Sequence, residues 1–143
     1  MIDTEDLLSK PFWIIDILPK QVLADAGRQY FKIEKYFLTP PHVDAIYQKF
    51  ADVLLKLNCY YNIMVRVVDD DKWIENPAPE DLTQMMLEHK QLNVILKNQK
   101  TMISISGDDH YITLYNPDKE TLELINSLAT AEGLHVWKHE NIS

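Results

Sequence analysis

The chain has 143 residues, of which 46% are hydrophobic and 25% charged, and this balance excludes a disordered, collagen-like or low-complexity protein. A domain of this length buries roughly 70% of its extended surface on folding, so residues 1–143 can form a single domain without disulfides or metals. The formal net charge of -8 disfavours nucleic acid and anionic lipid as partners, and no apolar run reaches the roughly 18 residues of a membrane-spanning helix.

The N-terminal residues, MIDTEDLL, are acidic where a secretory signal is basic, which favours a cytosolic protein. The next stretch, PFWIIDILP from Pro11 to Pro19, is typical of a strand with apolar side chains on both faces. Because proline bounds it on each side, we expect an edge strand whose Asp16 turns toward water. In the alternative, Asp16 is buried and needs polar partners.

The segment 20–29 is a polar loop that leads into YFKIEKYFL, which alternates between apolar and polar residues. In an extended chain this alternation places three apolar side chains on one face, namely Phe31, Ile33 and Phe37. The period of two predicts a half-exposed strand over residues 30–38. Residues 1–38 would then form an N-terminal strand pair.

A long amphipathic helix is predicted after Thr39, whose hydroxyl can cap free N–H groups ahead of Pro40 and Pro41. Its apolar residues recur at steps of three and four and are Val43, Ile46, Tyr47, Phe50, Val53, Leu54 and Leu57. Cys59 follows, at the junction with an apolar strand over residues 60–68. We expect a buried, inert thiol there.

A shorter helix is predicted from Pro79, with acids in its first turn and His89 near its end, as the helix dipole prefers. Three strands follow, beginning at Leu92, Thr101 and Tyr111. The links between them are short, which forces antiparallel hairpins.

Asn116 and Pro117 are predicted to cap the last helix, which stops at Gly133, and LHVWK closes the chain as a strand. The predicted order of elements is therefore ββαβαβββαβ, an α+β fold. A mainly antiparallel sheet with helices packed on one face satisfies this order. Within it, residues 60–138 are predicted to form a ferredoxin-like portion with split βαβ elements.

The closing segment, YNPDKETLELINSLATAEGLHVWK, resembles the C-terminal ends of small bacterial proteins of unknown function. The resemblance is confined to this segment and involves no chemical motif. It therefore implies no activity.

The stretch GDDHYITLYNP, residues 107–117, holds the first candidate for chemistry. In palm-type polymerases a Gly-Asp-Asp turn between two strands holds divalent metal, and Asp108, Asp109 and His110 occupy a similar hairpin. Residues 101–143 carry seven acids against two lysines, which disfavours the phosphate backbones such an enzyme must hold. We interpret the stretch as an aspartate-stabilised turn and assign no metal or other cofactor. A metal-dependent enzyme or ligand sensor at these three residues is the alternative.

Two further clusters suggest metal binding only at first sight. The acids of DDDKW, residues 69–73, lack the alternating spacing, central glycine and distal glutamate of a calcium loop, so we interpret them as a solvated turn. His135 and His139 are four residues apart, which would join them at one metal on a helix. On the predicted strand they would lie about 13 Å apart, at about 3.3 Å per residue.

An aromatic set provides the candidate binding surface. Alternation places Tyr60, Tyr111, Tyr115 and Trp137 on the sheet face away from the helices. We interpret the set as a surface for a protein partner or a second copy of the chain, hence a non-enzymatic binding or regulatory module. Stacking on RNA bases is the alternative, although two arginines and a negative charge disfavour it. A small-molecule pocket is the remaining alternative, with no ligand specified.

Overall fold

A computed structural model of the protein describes residues 4–23, 27–96 and 100–139. Within these ranges the chain forms five helices, which are α1 (Thr4–Leu8), α2 (Arg28–Phe37), α3 (His42–Asn58), α4 (Pro79–Leu87) and α5 (Lys119–Ala131). The same ranges contain seven strands, which are β1 (Phe12–Asp16), β2 (Ile63–Val67), β3 (Ile74–Glu75), β4 (Leu92–Leu96), β5 (Thr101–Ile105), β6 (Tyr111–Tyr115) and β7 (His135–Lys138). The predicted α+β class is confirmed.

The strands form one open sheet in the order β3-β2-β4-β5-β6-β1-β7, and every neighbouring pair is antiparallel. The predicted meander is present, with β4 paired to β5 and β5 to β6. In the link between β4 and β5, residues 97–99 lie outside the described ranges. The mainly antiparallel sheet expected from the short links is therefore confirmed.

Strand β1 is not an edge strand, which corrects the prediction made from its flanking prolines. It lies between β6 and β7, with Ile14 opposite both Thr113 and Trp137. The prolines stand outside Phe12–Asp16, so every residue of the strand keeps the N–H that pairing on two sides requires. Asp16 is consequently 2% exposed and does not face water.

The predicted strand over residues 30–38 is wrong, because this segment belongs to helix α2. Tyr30, Glu34 and Phe37, at helical steps of four and three, are its partly buried side chains. Phe31 and Ile33 are 62% and 45% exposed, so the alternation that suggested a strand does not reflect burial. Among the described residues before position 39, β1 is therefore not paired with a second N-terminal strand, and the described elements follow the order αβααββαβββαβ.

The ferredoxin-like portion predicted for residues 60–138 also differs from the observed topology. Strands β6 and β7 both run antiparallel to β1 between them, so β6, α5 and β7 form a split βαβ unit. Helix α4, in contrast, follows β3 and leads into β4, and β4 is the antiparallel neighbour of β2. The enclosed strand of the one split unit comes from the N-terminus, so residues 60–138 do not form a separate portion.

The main core lies between the sheet and helices α3, α4 and α5. Phe50, Leu54 and Leu57 of α3 are fully buried there against Ile103 of the sheet and Leu82 of α4. The opposite face carries a smaller cluster, in which α1 contributes Leu7 against Ile95 and Met102. Helix α1 thus lies on the face opposite to α3, α4 and α5, so helices cover both faces of the sheet. The predicted single helical layer is not observed. In the described residues, no helix combines the length and apolar character needed to cross a bilayer.

Three local predictions need correction. The Thr39 hydroxyl donates to the Lys35 carbonyl at 2.6 Å, so it satisfies the end of α2 instead of capping α3. The cap of α5 is Asp118, whose side chain accepts the Thr121 N–H at 2.8 Å, and this hydrogen bond lowers the pKa of Asp118. Cys59 is exposed, because it follows the last turn of α3 at the surface.

Candidate functional site

A buried carboxylate and imidazole meet where β1 ends and β6 begins. The sheet register pairs Asp16 with Tyr111, which brings the preceding His110 beside Asp16. His110 Nδ1 lies 2.7 Å from Asp16 Oδ1, and the two residues are 4% and 2% exposed. Since Ile15 belongs to the main core, the alternation of β1 places Asp16 on the other face of the sheet.

Helix α2 completes the group around this pair. The Tyr30 hydroxyl lies 2.9 Å from His110 Nε2 and donates to Glu34 Oε2 at 2.9 Å. Glu34 Oε2 is 3.4 Å from the same imidazole nitrogen. A phenol has one hydrogen, so if it goes to Glu34 the oxygen must accept from Nε2–H. If Nδ1–H is also directed at Asp16, this arrangement corresponds to the imidazolium form of His110.

The charges around His110 are predominantly negative. Burial lowers the pKa of His110, but the hydrogen bond to Asp16 and the charges of Asp16, Glu34 and Asp109 outweigh it, so the pKa lies above 6.5. Burial and the neighbouring Glu34 raise the pKa of Tyr30. Burial, followed by the charges of Asp109, Asp16 and Glu34, raises the pKa of Tyr111. Burial is the largest cause for the two tyrosines, and neighbouring carboxylates contribute to all three shifts.

A cavity of about 160 Å³ opens beside the His110–Asp16 pair. Its walls combine apolar side chains from β1 and the segment that follows, namely Ile14, Leu18 and Val22, with Tyr30, Tyr111 and Trp137. Asp16, His110, Gln21 and His139 supply the remaining polar groups. The indole N–H of Trp137 is already used, because it donates to the Leu18 carbonyl at 3.1 Å. Trp137 therefore presents ring atoms to the cavity while its donor points elsewhere.

The four aromatic residues that alternation predicted on one face lie in three different places. Tyr111 and Trp137 line the cavity, as two members of the set. Tyr115 instead packs beside Phe12, with ring centroids 5.6 Å apart, and borders the cluster that contains Leu7. Tyr60 follows α3 in a turn, is 66% exposed and lines a separate depression against α5. The four rings do not form one surface.

The predicted metal candidates Asp108, Asp109 and His110 do not converge. Asp108 is exposed, Asp109 Oδ2 accepts the Ser106 hydroxyl at 2.8 Å, and His110 turns to Asp16. The Asp109 carbonyl accepts the hydroxyl of Tyr47 at 2.8 Å. Burial is the main cause that raises the pKa of Tyr47 to about 12. Among the described residues, no group of three or more His, Cys, Asp or Glu side chains could hold a metal ion.

The other charged clusters have local roles. Asp69, Asp70 and Asp71 are exposed after β2, and Asp70 Oδ1 accepts the Lys72 N–H at 3.1 Å, in agreement with the predicted turn. His89 Nε2 lies 3.0 Å from Asp44 of α3, beyond the end of α4. His135 lies in β7, which confirms the predicted strand, and the His139 ring stacks on Phe12 with centroids 4.7 Å apart.

The sequence did not assign Asp16, Tyr30 or Glu34 to a site. A buried Asp16 with polar partners was the alternative to the expected edge strand, because one carboxylate interrupts an otherwise apolar run. The signal for the other two residues was their helical spacing of four, which the two-residue alternation of Phe31 and Ile33 obscured.

Comparisons with known proteins yield no match. No protein-family model matches the chain, and the searches of curated proteins and of solved structures find none either.

Proposed function

We propose that the protein is a small binding module that takes a small-molecule ligand in the cavity beside His110 and Asp16. The observation that supports the proposal is that side chains from several elements converge on one cavity. Side chains from β1, α2, β6 and β7, far apart in sequence, meet at a single cavity around a buried ion pair. Concave sites with a few convergent polar groups and perturbed pKa values are where ligands bind most often. The cytosolic location predicted from the sequence is part of this proposal.

The size of the cavity supports a small ligand. Pockets for drug-sized molecules measure about 300 to 1,000 Å³. The cavity at His110 measures about 160 Å³, which corresponds to roughly five waters at about 30 Å³ each. Larger depressions of about 560 Å³ along α4 and 450 Å³ at Tyr60 lack a buried charged pair in their walls. We therefore place the ligand at His110.

Binding fits this site better than general-base catalysis does. A general base needs a free nitrogen within reach of a substrate proton. Both ring nitrogens of His110 already have protein partners, Asp16 on one side and Tyr30 on the other. A doubly protonated ring has no lone pair to accept a proton.

The test uses three probes of similar shape that differ in charge. Choline, its neutral isostere with carbon in place of nitrogen, and pivalate are titrated separately into the full chain. NMR follows the indole N–H of Trp137 and the amide of His110, with the indole N–H of Trp73 as the internal control. A saturable shift at the cavity with any one probe supports the proposal. No saturable shift with all three at high millimolar concentration would overturn it.

A matched pair of variants checks the location. Gln21→Trp places a bulky ring in the wall of the cavity, and Lys20→Trp adds the same ring at the exposed neighbouring position. We expect binding of the active probe to be lost in Gln21→Trp and kept in Lys20→Trp. Equal loss in the two variants would contradict the assignment of the cavity.

Self-association through the outer side of α2 is a second candidate. Phe31 and Tyr36 are 62% and 55% exposed there. At 3.6 residues per turn, Arg28, Lys32 and Lys35 fall on the side opposite Tyr30 and Glu34 and are also exposed. These bases face outward on a chain of net charge -8, so the acidic surface of a second copy complements them.

Sedimentation at increasing protein concentration tests this second candidate. We expect a dimer that weakens in high salt, because salt screens the attraction between charges. It should also weaken in Phe31→Ser, because the aromatic ring that would be buried is removed. Leu8→Ser, at an apolar residue of α1 that is 52% exposed, is the matched control and should leave the dimer intact. A monomer at all concentrations would reject it. RNA stacking is not proposed, because Tyr115 borders the α1 cluster and Tyr60 lies apart from Tyr111 and Trp137.

A further inference from the structure

More carboxylates than cationic groups surround His110 beside the cavity. Three carboxylates, Asp16, Glu34 and Asp109, act on the one imidazolium of His110. None of the described residues that line the cavity is lysine or arginine. Asp16 and His110 line the cavity and offset each other, and Glu34 and Asp109 add negative charge near His110 that a cation can reduce and an anion would increase.

The aromatic rings of the cavity also favour a cation. Trp137 uses its N–H on the Leu18 carbonyl, and Tyr30 uses its hydroxyl on Glu34 and His110. With these polar groups engaged, Trp137 and Tyr30 offer a ligand their π-systems, and the ring of Tyr111 lines the same cavity. Ring faces attract cations, and the attraction is strongest for groups such as quaternary ammonium that lose little hydration on burial.

The apolar side chains in the wall limit the class of ligand further. Ile14, Leu18 and Val22 line the same cavity, so a bare metal ion would contact hydrocarbon as well as oxygen. An alkylated ammonium group satisfies both surfaces, because its charge is spread under methyl groups. Few non-hydrogen atoms fit in about 160 Å³.

We infer that the cavity beside His110 selects a small organic cation, of the alkylammonium class, over neutral and anionic molecules of the same shape. The inference depends on the proposed function, because it names the ligand class of the same site. Choline serves as the cationic probe, with its neutral carbon isostere and pivalate as the shape-matched competitors.

The experiment measures the dissociation constants of the three probes for the full chain by NMR titration. We expect choline to bind about tenfold more tightly than the neutral isostere, as a cation–π contribution of about 1 to 2 kcal/mol implies, and pivalate to bind most weakly. If the neutral isostere or pivalate binds as tightly as choline, the cation class is wrong while the small-ligand proposal stands. If no probe binds, both proposals are wrong.

A pair of tryptophan variants separates ring contact from general destabilisation. Trp137→Leu removes the ring from the cavity, whereas Trp73→Leu removes a ring that lies under Arg66, 4.5 Å from the guanidinium carbon. We expect Trp137→Leu to weaken choline binding about tenfold and to change the neutral isostere little, and Trp73→Leu to change neither. Equal weakening of both probes by Trp137→Leu would contradict a cation–π role. Tyr111→Leu repeats the measurement if Trp137→Leu does not fold.

Discussion

His110 Nδ1 lies 2.7 Å from Asp16 Oδ1, and this contact joins side chains 94 positions apart in the sequence. Moving a carboxylate and an imidazolium out of water costs several kcal/mol, and only good geometry with further hydrogen bonds offsets that cost. Tyr30 and Glu34 supply the further bonds from α2. The site thus fixes β1, β6 and α2 together, and its stability can be measured separately from its ligand.

Breaking the ion pair should destabilise the fold more than removing the whole pair. Asp16→Leu leaves an imidazolium buried beside hydrocarbon, and we expect a loss of about 3 kcal/mol or more in the free energy of unfolding. The double variant Asp16→Leu, His110→Leu removes both charges, so we expect it to be more stable than Asp16→Leu alone. Urea unfolding measures both quantities. A double variant that is less stable than either single variant would contradict a charge origin.

Stability should fall as pH rises through neutrality because of His110. The groups facing the ring are Asp16 from β1, Glu34 and Tyr30 from α2, and Asp109 and Tyr111 around the start of β6. Since the pKa in the folded state lies above 6.5, the stabilisation is complete below the unfolded pKa of about 6.5. It is lost as pH rises through the folded pKa.

The measurement for this pH dependence is the urea midpoint from mildly acidic to alkaline pH, together with NMR titration of the histidine rings. His110→Gln should remove the part of the decrease in the urea midpoint that occurs above pH 6.5. His135→Gln, which removes an exposed imidazole of β7, should keep that component. An identical slope in wild type and His110→Gln would show that another group titrates.

The Tyr30 hydroxyl should hold α2 against the sheet. None of the α2 side chains is fully buried, so its attachment depends on few contacts. Tyr30→Phe removes the hydroxyl that bonds His110 and Glu34, and we expect a loss of about 1 kcal/mol. Amide exchange in α2 should accelerate roughly fivefold, with α3 unchanged. Tyr36→Phe, on the exposed side of the same helix, should change neither rate.

Sequence reasoning succeeded where a local pattern and burial coincide. The apolar steps of three and four predicted α3, and the short links predicted the β4–β5–β6 hairpins. It failed for α2 because Phe31 and Ile33 are exposed, so their alternation records no buried face. Flanking prolines also misplaced β1, since they limit hydrogen bonding only at their own positions.

The site was harder to predict than the fold. Alternation placed Tyr111 and Trp137 on the correct face, and both line the cavity. The His110–Asp16 pair depends on the register of β1 against β6, in which Asp16 lies opposite Tyr111. No local pattern encodes pairing over that separation. The predicted aromatic set therefore supplied two of the ten described residues that line the cavity, and the contact between His110 and Asp16 was not predicted.

Gly107 should be the least replaceable residue of the hairpin that carries His110. Its φ of +90 is a conformation that residues with a Cβ rarely adopt, and an added Cβ would lie 2.2 Å from the His89 carbonyl oxygen. We expect Gly107→Ala to lower the free energy of unfolding by more than about 2 kcal/mol, because strain and a backbone clash add. Gly133→Ala shares the positive φ, +77, but its Cβ would meet only Lys49 Nζ at 3.9 Å. That control should lose about 1 kcal/mol from strain alone. Equal losses in the two variants, measured by urea unfolding, would mean that the close approach to His89 does not determine the need for glycine at position 107.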